Sequence, residues 1–235
     1  MKRSIIAAAA IAAMAPVGAQ AATVLIDGFN GNQRVLDLST GIAPMFSEVA
    51  DPGVLGGFRD ALADNDEDAV DATEVRIDNG ILSFSNIAGR SGLGTITYDG
   101  NDNSPDVDTN GLGGFDLTFG GTGTGFIYEV ILADAQLDFE VIAYDMNGGV
   151  SSFMTTLPET LVNTTFSGSF DNFVGDADLT QLGALQFIAG GNPDVDNLDA
   201  QIDSISVAII PLPAGVFLLG GALLGLGAAA RRRKS

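Results

Sequence analysis

From residue 137 to residue 144 the chain alternates with a period of two. Leu137, Phe139, Val141 and Ala143 point one way, while Asp138, Glu140 and Tyr144 point the other. A period of two belongs to an extended strand with one dry face and one wet face, and a helix cannot reproduce it. Shorter runs of the same kind recur at 23–29, where Leu25, Asp27 and Phe29 share a face, and at 95–98, 115–119, 164–170, 184–189 and 201–209. Asp78-Asn79-Gly80 between Val75 and Leu82 is a hairpin signal, and Asn147-Gly148-Gly149 turns into 150–156. The runs 126–132 and 137–144, separated by 133–136, read as a further hairpin. A helix over 46–62 is opposed by Pro52, Gly53, Gly56 and Gly57. About ten short strands with no convincing helix predict an all-β fold, an antiparallel β-sandwich.

The two ends carry a different pattern. Lys2-Arg3, an apolar Ala-rich stretch over 5–17 and the small-x-small site Ala19-Gln20-Ala21 are the three parts of a secretory signal peptide, so 1–21 is set apart from the fold. At the other end Ile210-Pro211-Leu212-Pro213-Ala214 leads into an uncharged stretch over 214–230, closed by Arg231, Arg232, Arg233 and Lys234. Seventeen uncharged residues span roughly 25 Å as a helix against a hydrocarbon core of about 30 Å, the short end for a transmembrane helix. The basic cluster fits a cytoplasmic anchor. The expected organisation is a signal peptide over 1–21, a β-sandwich ectodomain over 22–209, and a tail over 210–235 that crosses the inner membrane.

That tail resembles a VPLPA-CTERM sorting signal, a variant of the PEP-CTERM class carried by exported proteins of Gram-negative bacteria. Pro211, Leu212, Pro213 and Ala214 match the motif, and Ile210 stands where the family has Val. The resemblance covers about a tenth of the chain. It implies export by the Sec machinery, cutting near the motif by an exosortase, and a final place at the cell surface or in the extracellular matrix. A plain single-span anchor is the alternative.

Composition narrows the chemistry between the ends. All 30 acidic residues lie from Asp27 to Asp203, and only Arg34, Arg59, Arg76 and Arg90 oppose them, so 22–209 carries 4 − 30 = −26 and no lysine. Such a surface repels nucleic acid and anionic headgroups and attracts divalent cations. With no Cys there are no disulfides or thiolate metal sites; with no His there are no Ser-His-Asp triads or imidazole zinc sites.

Oxygen ligands remain. Asp203 is in phase with Ile205, Val207 and Ile209, and Asp27 with Leu25 and Phe29, which predicts inward carboxylates that need a metal, an arginine or backbone N–H donors. The strand order resembles the jelly-roll sandwiches of carbohydrate-binding modules, many of which hold Ca²⁺ between first and last strands. By that resemblance Asp27, Asn30 and Asp203 are candidate ligands, with turn-capping carboxylates as the alternative. Asp106, Asp108 and Asn110 follow the first half of an EF-hand loop, but Leu117 replaces its terminal Glu, leaving a looser Ca²⁺ site or a solvated turn. Tyr98, Tyr128 and Tyr144 are the candidate sugar-stacking rings, and Glu129 with Glu140 a candidate catalytic pair. The expected role is non-enzymatic: an exported structural or adhesive protein, alternatively a carbohydrate-binding module for extracellular polysaccharide.

Overall fold

Asn79 (φ 53°) and Gly80 (φ 81°) both adopt left-handed backbone, as a two-residue type I′ turn requires, and they close the hairpin expected at that point. The computed structural model describes residues 22–38, 44–65, 72–86, 92–190 and 198–210. The signal segment with Ala19 and Ala21, the sorting motif Pro211, Leu212, Pro213 and Ala214, and the basic Arg231, Arg232 and Arg233 lie outside the described residues. Ala22–Ile210 forms one compact unit. Among the described residues no helix is long and apolar enough to cross a membrane.

The strands run in chain order as β1 (Ala22–Asp27), β2 (Gln33–Asp37), β3 (Met45–Ala50), β4 (Phe58–Asp64), β5 (Thr73–Asp78), β6 (Ile81–Asn86) and β7 (Leu93–Tyr98). They continue as β8 (Gly123–Ala133), β9 (Leu137–Asp145), β10 (Val150–Leu157), β11 (Thr164–Ser169), β12 (Val174–Gly175), β13 (Leu182–Gly190) and β14 (Asp199–Ile209). One sheet has the order β11-β8-β14-β6-β5-β2, with β1 also paired to β14; the other has β12-β10-β9-β13-β7-β4-β3. Every named pairing is antiparallel. The fold is an all-β sandwich, as the alternation predicted. Residues 46–62 form β3, a short 3-10 turn at Leu55–Gly57 and β4 rather than an α-helix.

Rings from the two sheets meet in the core. Tyr128 on β8 packs edge-on against Phe139 on β9 at 5.1 Å, and Phe126 against Phe187 on β13 at 5.4 Å. All four are nearly or fully buried, each contributing roughly 1.5–3 kcal/mol of burial. These contacts correct the hairpin expected over 126–144. Runs β8 and β9 lie in different sheets, and residues 134–136 carry the chain between them. Two strands that each have one dry face bury it best by facing each other across the layer. A second correction concerns 115–119, which forms turns with one isolated bridge from Phe115 to Leu182. There the Asp116 carboxylate accepts the N–H groups of Thr118 and Gly120, competing with ladder formation. Strand β2 was not expected.

Candidate functional site

The inward carboxylate expected at Asp27 is present, and its partner is an arginine. A bulge in β1 after Leu25 puts Ile26 and Asp27 both inside and leaves Leu25 half exposed. Asp27 Oδ2 accepts from Arg59 Nη1 at 2.7 Å and from the Tyr98 hydroxyl at 2.8 Å, while Oδ1 accepts the Phe29 N–H at 2.6 Å. Arg59 also donates from Nε to Gln33 Oε1 at 2.9 Å and from Nη2 to the Gly31 carbonyl. Asp27 and Arg59 are fully buried, one from each sheet, so their pair ties the layers together. Burial, then the Asp27 charge, raises the Tyr98 phenol well above its usual range.

The other proposed ligands are not gathered around Asp27. Asn30 is exposed. Asp203 is exposed too, which overturns its expected inward position. The register of β14 against β8 shifts on both sides of Ile202, so Ile202, Ile205 and Val207 face inward and Asp203 faces solvent. In the EF-hand-like stretch, Asp106 is exposed, Asp108 Oδ1 accepts the Asn110 N–H at 2.9 Å, and the Asp108 N–H donates to Asp99 Oδ2 at 2.8 Å. That stretch is a self-bonded turn. Of the candidate rings, Tyr98 and Tyr128 are buried in the core and only Tyr144 is partly open. Glu129 lies on β8 and Glu140 on β9, so the two belong to different sheets and form no pair.

The outer face of the second sheet holds a cluster that was not anticipated. Cross-strand register lines up Ser152, Ile142, Gln186, Thr97, Asp60 and Glu48 in one row from β10 to β3. The neighbouring row is Met154, Glu140, Ile188, Thr95, Leu62 and Phe46. Within the first row Gln186 Nε2 donates to Thr97 Oγ1 at 3.0 Å, and from the adjoining row the Tyr144 hydroxyl donates to Gln186 Oε1 at 3.4 Å. At the β4–β3 end, Glu48, Asp60 and Asp102 each bring a carboxylate oxygen within 4.8 Å of the others. Asp99, just past β7, lies beside the Asp60 carboxyl.

The segment after Asp99 roofs this end. Its Asp102 and Asn103 N–H groups donate to Glu48 Oε2 at 3.0 and 2.7 Å, and the Leu112 N–H donates to the Gly183 carbonyl at 2.8 Å. The close seat requires glycine. A Cβ at Gly183 would stand 1.5 Å from the Thr109 carbonyl oxygen, and one at Gly111 would stand 1.3 Å from that of Asp99. Under the roof Asp60 is 5% exposed and Asp99 1%. Neither Asp60 oxygen nor Asp99 Oδ1 meets a donor. Burial, followed by the facing Asp99 and the nearby Glu48 and Asp102, pushes the Asp60 carboxyl up to about 9. Burial raises Asp99 as well, opposed by the Asp108 N–H. The alternation around Thr97 and Asp60 hints at an outer face, but only the strand pairing brings Glu48, Asp60, Asp99 and Asp102 together.

No family model and no curated protein matches this chain. Solved structures resemble it at low identity. The family 11 carbohydrate-binding module of the cellulosomal cellulase Lic26A-Cel5E of Clostridium thermocellum is 13% identical over 80% of this chain and 95% of the module, with a TM-score of 0.41. A mutant family 29 carbohydrate-binding module in complex with mannohexaose is 10% identical, over 82% of this chain and 93% of its own length, with a TM-score of 0.37. PfGH50B is 12% identical over 66% of this chain with a TM-score of 0.42, and the chain spans 23% of its length.

Proposed function

We propose that this chain is a non-catalytic, exported β-sandwich of the jelly-roll kind that binds extracellular polysaccharide across the outer face of its second sheet. The supporting observation is the pair of rows on that face. Tyr144, Gln186 and Thr97 form a continuous line of hydrogen-bonding groups across three strands, beside part-open Ile142, Ile188, Leu62 and Phe46. A sugar polymer needs this mixture, because its ring faces are apolar and its hydroxyls require donors and acceptors. An ectodomain charge of 4 − 30 = −26 favours neutral over acidic polymers. The buried Asp60–Asp99 pair does not suit glycoside hydrolysis, which uses carboxyls about 5–9.5 Å apart with sugar between them.

Export rests on the end segments. The signal peptide directs the chain to the Sec machinery, and the Pro211–Ala214 motif with its apolar helix and arginines presents it to an exosortase at the inner membrane. The surface or matrix role and the binding role are compatible, since a polymer-binding module is itself adhesive. Affinity electrophoresis of the full chain in gels cast with neutral β-glucan or mannan tests the binding face. Retardation is expected, with Tyr144→Ala combined with Gln186→Ala weakening it by roughly tenfold and leaving Tm within a few degrees. No retardation by either polymer, or retardation untouched by the double variant, would defeat the proposal.

A further inference from the structure

We propose that Glu48, Asp60, Asp99 and Asp102 hold one calcium ion, which fastens the roof segment over 100–112 to the end of the second sheet. Three of these carboxylates already converge, with one oxygen each inside a 4.8 Å span. Oxygens that close can share one cation, and a set of several carboxylates suits Ca²⁺, which takes about six to eight oxygen ligands, better than Mg²⁺, which usually keeps several waters beside one or two carboxylates. The second, independent observation is Asp99, which is not one of the three. It is 99% buried, faces Asp60, and leaves Oδ1 without any donor, as Asp60 leaves both of its oxygens. Buried carboxylate oxygens without donors are costly, and a cation satisfies several at once.

Among the described residues no side-chain cation is paired with this cluster: Arg34 pairs with Glu74, Arg59 with Asp27 and Arg76 with Asp78. There is no lysine between 22 and 210. Part-open Glu48 and exposed Asp102 supply an entrance and room for water ligands. All donors are hard oxygens, which selects a hard cation over a transition metal. The cluster differs from the ligand sets expected from sequence: Asp27 is taken by Arg59, and Asp203 and Asp106 face solvent.

Calorimetric titration of the chelator-treated full chain with CaCl2 tests the site, and it involves no sugar, so its outcome is separate from that of the polysaccharide reading. One saturable site is expected, together with a rise in Tm and slower amide exchange over 100–112. Asp60→Asn should weaken binding by roughly tenfold or more, whereas Asp106→Asn and Asp203→Asn should leave it unchanged. Should Asp60→Asn fail to fold, Glu48→Gln, at a part-open position, must weaken binding by the same order. Absence of a saturable site, or full affinity in Asp60→Asn or Glu48→Gln, overturns the proposal. Tighter binding of MgCl2 than of CaCl2 overturns the choice of ion.

Discussion

Arg59 and Asp27 occupy a dry interior where each charge depends on the other. Their attraction is supported by the Tyr98 hydroxyl, the Phe29 N–H and the Gln33 amide, so every strong donor and acceptor at the node is used. Deleting one member leaves the other charge buried alone. Arg59→Ala should therefore lower unfolding free energy by about 3–5 kcal/mol in urea denaturation, and Arg59→Met with Asp27→Leu should recover part of it. A loss below about 1 kcal/mol would show that the pair is relaxed or wet. Asp145 gives a pH dependence of known sign. Its carboxylate accepts N–H groups from Asp178, Gly149 and Asn147, and these bonds hold its pKa below the usual value near 4. A group depressed in the folded state adds stability above its unfolded pKa, and that stability disappears as pH falls through the folded value. Asp145→Asn should thus lower Tm at neutral pH and flatten the acid limb below about pH 4, read by thermal melts across pH.

Local geometry of single strands decides which side chains reach which face. The bulge in β1 leaves Leu25 outside while Asp27 is inside, and the shifts in β14 around Ile202 send Asp203 outward. Strict alternation carried across a bulge misassigns the residues on one side of it because a slip of one residue reverses the face. The roof is the other sensitive element, held by backbone contacts that tolerate no side chain at Gly183. Gly183→Ala should lift residues 100–112, expose Asp60 and Asp99, and cost about 1–3 kcal/mol. Hydrogen exchange would then quicken in that segment while β9 and β13 stay protected. Unchanged exchange over 100–112 would count against the roof's dependence on this contact.

At the scale of the molecule, the charge and missing residue types of 22–209 bound what the chain can bind, and the export proposal for the ends is tested by processing. Replacing Pro211, Leu212 and Pro213 by alanine should retain the protein in the inner membrane with its tail uncut, followed by fractionation and mass of the mature chain. Normal processing in that variant would remove the sorting proposal. The charge also predicts sensitivity to salt: repulsion among so many carboxylates is screened within about 10 Å at 0.1 M ionic strength.

Alternation such as Leu137 to Ala143, and turns such as Asn79-Gly80, were determined by the sequence alone, because each rests on neighbours a few residues apart. So were the net charge and the lack of Cys and His. Tertiary structure decided that β8 and β9 face one another instead of pairing, that Arg59 answers Asp27, and that Glu48, Asp60, Asp99 and Asp102 meet. Those contacts join residues brought together by sheet order and register, which depend on how the whole set of dry faces packs, and no short stretch of chain carries that information.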